Sequence, residues 1–269
     1  MISSHHKRIL TSLLLLPVLA GGLFMGGWFL FALILAASTL GMREFYGMFW
    51  ERGTRQSFKL LGYAAGAALL LAAMYNSYGW MLGILVGTFW VGSLTFLGSY
   101  GRGKDNACFR ETQILVLGVM YLPLTLHFAL GMHPEELLLV LGAAFASDTG
   151  GYYAGTLCGK RRIWPRVSPK KSWEGSIGGF ILCAAICMLA GVTFGNPETT
   201  IWAWLLLALL LNVASQMGDF FESALKRTQG VKDSGSALPG HGGLLDRIDS
   251  LLLVLPVYAA ARCVVPFFL

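Results

Sequence analysis

The sequence predicts an all-α integral membrane protein, a polytopic bundle of about nine transmembrane helices with a cytoplasmic N-terminus. Hydrophobic residues make up 55% of the 269 and charged residues only 13%, where soluble domains carry about 25% charged residues. Apolar runs of about 18 or more residues, enough to cross roughly 30 Å of hydrocarbon as a helix, recur from one end to the other. The basic residues then fall in alternate connections between those runs, as they do when cytoplasmic loops collect Lys and Arg.

The runs cover residues 8–24, 27–47, 60–76, 79–98, 112–131, 135–156, 175–194, 200–220 and 249–267. MISSHHKR ahead of the first run imitates a signal peptide, but no small-x-small cleavage site follows, so a retained first helix is expected. Gly21, Gly22, Gly26 and Gly27 separate the first two runs. A tight hairpin is expected there, because about 40 residues is too many for one crossing. With the N-terminus inside, the inner segments hold Lys7 and Arg8; Arg43, Arg52, Arg55 and Lys59; Arg102, Lys104 and Arg110; Lys160, Arg161, Arg162, Arg166, Lys170 and Lys171; and Lys226, Arg227, Lys232 and Arg247. That is 19 of the 20 basic residues, Arg262 being the exception. The outer connections carry Glu135, Glu136 and Glu198 with no Lys or Arg. The net charge of +6 follows from this sidedness and argues for anionic headgroups, not nucleic acid.

Several features carry little chemistry. The five cysteines form no CxxC and no Cys/His cluster, so neither a disulfide framework nor a zinc site is read from them. Cys183 and Cys187 share a helix face, which reads as packing. The many glycines and alanines suit close helix contact in lipid. GRGK at 101–104 lacks the spacing of a P-loop. His127 and His133 read as packing or interface residues, and the scattered Trp and Tyr as interface anchors.

Chemistry concentrates in the last third. Asn212, Ser215, Gln216, Asp219, Glu222, Ser223 and Lys226 recur at helical offsets of three or four and make one polar stripe. A helix entering lipid turns such a stripe toward other helices or a wet cavity, since a central Asp is disfavoured by about 2.5–3.5 kcal/mol on insertion scales. Beyond a loop with glycines at 230, 235, 240, 242 and 243 comes LLDRIDS, where Asp246 and Asp249 share a face if that turn is helical. With Asp219 and Glu222 they offer hard oxygen ligands suited to Mg²⁺. Helix capping or an Asp–Arg pair is the alternative for an isolated DRID. VSPKKSWEG presents Ser168, with Pro169 behind it, or Ser172 as a helix cap beside Lys170 and Lys171, an arrangement that receives an anion. Lys160–Arg162 reads as positive-inside charge. Asp148 is an intramembrane acid, either functional or capping a break at the glycines. His241 either contacts phosphate or moves a proton, or only occupies a turn.

SALKRTQGVKDSGSALPGHGGLLDRIDS, Ser223–Ser250, resembles the signature of the phosphatidate cytidylyltransferases, or CDP-diacylglycerol synthases. The resemblance runs through Ser223, Lys226, Arg227, Lys232, Asp233, Pro239, His241, Gly242, Gly243, Asp246, Arg247 and Asp249. SQMGDFFES, SDTGGYYAG and VSPKKSWEG are also similar to that family's pattern, so it covers the C-terminal half, and the N-terminal half agrees in length and hydropathy. It implies a dimeric membrane enzyme joining CTP and phosphatidic acid into CDP-diacylglycerol and pyrophosphate. Mg²⁺ is then required, with a metal centre on Asp219 and Asp246 for which K⁺ is a further candidate occupant. Under this reading Asp219, Asp246, Lys226 and Arg247 are catalytic. Asp219, Asp246, Asp249 and Glu222 hold metal. Ser168, Lys170, Lys171, Ser223, Arg227, Lys232, His241, Gly242 and Gly243 contact substrate. Residues 1–110 form an N-terminal group of about four crossings, and 111–269 carry the site, at the cytoplasmic face of the inner membrane. A CTP-dependent polyprenol or phytol kinase, and an ion-coupled transporter using Asp148 and Asp219, are the alternatives. The absence of a DG-x-x-AR segment argues against a CDP-alcohol phosphotransferase.

Overall fold

The computed structural model describes residues 17–51, 53–103, 107–237 and 242–268. Its elements are α1 (residues 17–25), α2 (Gly27–Phe49), α3 (Gln56–Met74), α4 (Tyr78–Tyr100) and α5 (Arg110–Tyr121), then the single turn α6 (Pro123–Leu126) running into a 3-10 turn (His127–Gly131). There follow α7 (Pro134–Leu157), α8 (Trp173–Phe194), α9 (Ile201–Thr228), the short α10 (Leu245–Ile248) and α11 (Leu251–Val264). The described residues contain no extended strand. One isolated antiparallel bridge joins Arg162 to Ser172.

Among the described residues, six stretches are long and apolar enough to cross a membrane: α2, α3, α4, Arg110–Gly131, α8 and α9. They match six of the nine expected runs. Of the other three, 8–24 lies mostly outside the described residues. The 24-residue α7 carries Glu135, Glu136 and Asp148, and the 14-residue α11 has Pro256 inside it. The expected hairpin turn falls at Gly26 and Gly27, with φ +57° and +49°, a left-handed backbone that glycine adopts without strain.

The chain divides into two compact units, Met1–Gly131 with Asp233–Leu245, and Met132–Lys232 with Asp246–Leu269. In the first, Tyr46 is fully buried and its hydroxyl donates to the Leu115 carbonyl at 3.0 Å. Its ring fills the space that side chains at Gly62 and Gly118 would need. In the second, α7 is closed by a capping box, His133 N donating to Glu136 Oε2 at 2.8 Å. The same carboxylate accepts from the Tyr258 hydroxyl and from Arg262 Nη1, each at 2.8 Å. This pair accounts for the one basic residue that broke the charge pattern.

The seam between α7 and α8 is made of glycine. A Cβ at Gly150 would stand 2.4 Å from the Gly178 carbonyl oxygen, and one at Gly178 would stand 2.3 Å from the Ala154 Cβ. Backbones can approach so closely only without side chains. Gly178→Leu should therefore lower the thermal midpoint in detergent well beyond the effect of Gly79→Ala, whose surroundings are open. Overpacking of this kind costs about 1–3 kcal/mol or more. Equal midpoints for the two variants would contradict the seam.

Candidate active site

The polar stripe of α9 is tied down by hydrogen bonds to both neighbouring helices. Ser147 Oγ donates to Asn212 Oδ1 at 2.8 Å and Gln216 Nε2 to the same oxygen at 3.1 Å. Asn212 Nδ2 donates to the Ser176 carbonyl at 3.4 Å, and the Ser176 hydroxyl to Gln216 Oε1. Asn212, Ser215 and Gln216 are all buried, so these bonds answer the cost of placing amides among apolar helices. The stripe is thereby fixed in rotation about the helix axis.

One turn further on, the stripe opens into a cavity of about 650 Å³ whose wall includes Asp148, Arg162, Ser168, Lys170, Lys171, Ser172, Gln216 and Asp219. Ser168, Lys170, Lys171 and Asp219, all expected to contact substrate or metal, thus meet at one place. Ser172, not Ser168, caps α8, its Oγ accepting from Gly175 N at 3.1 Å. Ser168 follows a turn, its N–H donating to the Trp164 carbonyl, and contributes to the wall. Arg162, read from sequence as sidedness alone, belongs to the wall too: its Nη1 donates to the Lys170 carbonyl at 2.6 Å and holds that loop across from itself. Glu174 accepts from the backbone N–H of Lys160 and Arg161.

Within the cavity, Lys171 Nζ lies 2.5 Å from Asp219 Oδ2 and 4.8 Å above the Phe220 ring. The edge of Trp164 packs on that same ring, with centroids 4.8 Å apart. The other Asp219 oxygen accepts from Ser223 Oγ at 3.2 Å, and Asp148 accepts from Ser215 Oγ at 3.4 Å. Three basic side chains and two carboxylates share a space large enough for a nucleotide or a lipid headgroup, within the usual range of about 300–1,000 Å³ for ligand pockets.

A second acid–base group sits on the next turn of α9. Lys226 Nζ bridges Glu222 Oε2 at 2.5 Å and Asp246 Oδ1 at 2.6 Å. The Glu222 side chain is fully buried, and its Oε1 has no hydrogen-bond partner among the described residues. Asp246 lies in α10, but Asp249 falls in the turn after it, because α11 starts only at Leu251. The two therefore do not share one continuous helical face. A side chain at Gly218 would meet the Asp249 carbonyl at 2.5 Å, so α9 and this turn touch backbone to backbone.

These acids offer hard oxygen donors, one of them buried with an unpartnered oxygen. Among the described residues no three His, Cys, Asp or Glu side chains gather closely enough to cage a metal on protein ligands alone. The donor set fits Mg²⁺ in its common form, held by one or two carboxylates with substrate phosphates supplying the rest.

The remaining expected residues are more peripheral. Arg227 and Lys232 are exposed, Arg227 Nη1 donating to the Val231 carbonyl at 3.4 Å, and Arg247 is exposed in α10. Gly242 and Gly243 belong to the other unit, where Gly242 takes φ +85°. His241 lies outside the described residues. Sequence reasoning passed over Glu44, buried in α2 and bonded to the glycine-rich loop. An acid in an apolar run is the signal that singled out Asp148, and it applied equally to Glu44.

A helical chain with six membrane-length apolar stretches among the described residues, and a polar cavity where lysines and an arginine face carboxylates, fits the class of helical membrane-type proteins with a site suited to an anionic ligand. Residues 6–265 match the model of the cytidylyltransferase family, and the chain belongs to that family; it is a nucleotidyltransferase. A phosphatidate cytidylyltransferase from Pseudomonas aeruginosa is 36% identical over 263 residues, 94% of this chain and 95% of the relative. One from Staphylococcus haemolyticus is 32% identical over 257 residues, 93% of this chain and 96% of the relative.

Proposed function

We propose that the protein is a CTP:phosphatidate cytidylyltransferase, converting CTP and phosphatidic acid into CDP-diacylglycerol and pyrophosphate for phospholipid synthesis. The observation that carries this reading is the cavity in which Lys171 and Asp219 pair beside Lys170, Arg162 and Ser168. The polyprenol kinase and the transporter are not favoured, since the relatives named above are phosphatidate cytidylyltransferases.

The chemistry needs no protein nucleophile. A phosphomonoester with a second pKa of about 6 is already largely dianionic near neutral pH. An oxygen of the phosphatidate headgroup attacks the α-phosphorus of CTP, a new P–O bond forms in line, and the bond to the β-phosphate oxygen breaks. Pyrophosphate leaves with the electron pair. The protein's task is to bring two repelling anions together and stabilise the charge on the departing group. Lys170, Lys171 and Arg162 do this from the cavity wall, with Ser168 donating a hydrogen bond. Lys226, Lys232, Arg227 and Arg247 supply further positive charge, with Ser223, Gly242, Gly243 and His241 as additional substrate contacts. One or two of Asp219, Asp246, Asp249 and Glu222 would hold Mg²⁺ together with substrate phosphates, with a second ion or K⁺ as a further occupant. When bound, the metal neutralises phosphate oxygens and orients the leaving group. Asp219, paired with Lys171 in this structure, would be a ligand of that ion, and Lys171 would be a phosphate contact.

In this reading the protein lies in the inner membrane with about nine crossings, the N-terminus and the site face the cytoplasm, and two copies form a dimer. Residues 111–269 then carry the catalytic site and 1–110 the N-terminal helices. Purified protein in mixed micelles with CTP, phosphatidate and Mg²⁺ should release pyrophosphate and a CDP-lipid, and EDTA should abolish both. Release of CDP with a phosphorylated lipid would replace this reading with a kinase.

A further inference from the structure

The residues of the glycine-rich loop that lie in the first unit are wrapped around a single carboxylate. Glu44 is 7% exposed. Its Oε2 accepts from the backbone N–H of Leu245 at 2.8 Å and from Ser234 Oγ at 3.3 Å, and its Oε1 accepts from the N–H of Ala237 at 3.4 Å. The loop can close on it only because two residues lack side chains. A Cβ at Gly235 would stand 2.5 Å from Glu44 Oε1, and one at Gly243 would stand 2.0 Å from Ser234 Oγ and 2.8 Å from Glu44 Oε2. Both ends of the segment, residues 234–237 and 243–245, thus converge on one buried anion.

A carboxylate placed in an apolar helix is costly unless it is hydrogen-bonded. Bonds from N–H or O–H groups to an ionised carboxylate are about twice as strong as neutral ones. α2 itself does not use this carboxylate, because none of the three donors belongs to that helix. What the bonds fix is the loop, and the strongest of them holds Leu245, directly followed in the chain by Asp246.

We infer that Glu44 is a positioning residue for the reaction, a clamp that sets the two ends of the glycine-rich loop and so places Asp246 at the start of α10. This inference rests on the proposed cytidylyltransferase reading for its link to turnover, but the clamp itself can be read without any substrate. Backbone exchange of the Ala237 and Leu245 amides with deuterium should be slow in the full-length wild type in detergent. Glu44→Ala should speed it by about tenfold or more, as for loss of a charge-assisted hydrogen bond. Exchange in α3 should stay unchanged. The same variant should lose at least about tenfold in kcat/KM for CDP-lipid formation. Glu44→Gln with its carbonyl oxygen in the Oε2 position keeps the acceptor for Leu245 N–H and Ser234 Oγ, while its amide nitrogen cannot accept from Ala237 N–H, so it should fall between wild type and Glu44→Ala in both readouts. Unchanged amide exchange in Glu44→Ala overturns the clamp, whatever the activity. Faster exchange with turnover within about twofold of wild type overturns its role in the reaction. If Glu44→Ala does not fold, Glu44→Gln decides alone: wild-type behaviour in both measurements overturns the inference. A wild type that makes no CDP-lipid would remove the functional reading and leave the exchange comparison standing.

Discussion

Asp219→Ala is expected to lower the rate of CDP-lipid formation by about 10²–10³-fold, the loss that follows removal of a main electrostatic element from a preorganised site. Asp219 has one oxygen on Lys171 at 2.5 Å and the other on Ser223 at 3.2 Å. It stands in the cavity wall on a helix whose rotation the Asn212 and Gln216 network fixes. The alanine variant removes the charge and leaves the helix intact. Asp219→Asn retains the shape and should be nearly as slow, because the amide offers neither metal nor Lys171 a negative charge. Initial rates at saturating CTP and phosphatidate, with thermal midpoints matched to wild type, decide the matter. Near-normal rates in a folded Asp219→Ala protein would take Asp219 out of the site.

Lys226→Met should act chiefly on stability. Its ammonium serves two acids, fully buried Glu222 and part-buried Asp246. Removing one partner of a buried pair leaves an uncompensated charge, at a cost of about 3–5 kcal/mol. Adding Glu222→Gln should recover much of that loss, since the stranded charge is then gone. Midpoints of thermal unfolding for the two singles and the double form the cycle. A double variant no more stable than Lys226→Met would mean that Lys226 acts through something other than Glu222. Turnover is expected to stay low in the double, because Asp246 still lacks the Lys226 ammonium.

The helical class and six of the runs were legible because length and apolarity are local properties of the chain. The polar stripe on α9 was legible for the same reason: a period of three and four survives whatever packs against it. Asp219, Lys170, Lys171 and Ser168 could be picked out singly, but their meeting in one cavity depends on α7, α8 and α9 closing at glycine seams, a long-range property. The choice of helix cap in VSPKKSWEG required the backbone, since Ser168 and Ser172 both satisfy the residue preference and only Ser172 has a regular helix behind it. Asp246 and Asp249 looked like one helical pair, and the break before Leu251 separates them. Arg162 was masked by a general rule that explains any arginine in an inner loop. Glu44 was missed because its partners lie some 200 residues away in sequence, at Ser234, Ala237 and Leu245.

Nucleotide and lipid phosphates are proposed to meet in the cavity between the α7–α8 loop and α9. A structure of the full chain with CTP and Mg²⁺ tests this most directly. The triphosphate is predicted to lie against Lys170 and Lys171, with Asp219 released from Lys171 and facing the ion. A triphosphate bound elsewhere, with the Lys171–Asp219 pair still closed, would contradict it.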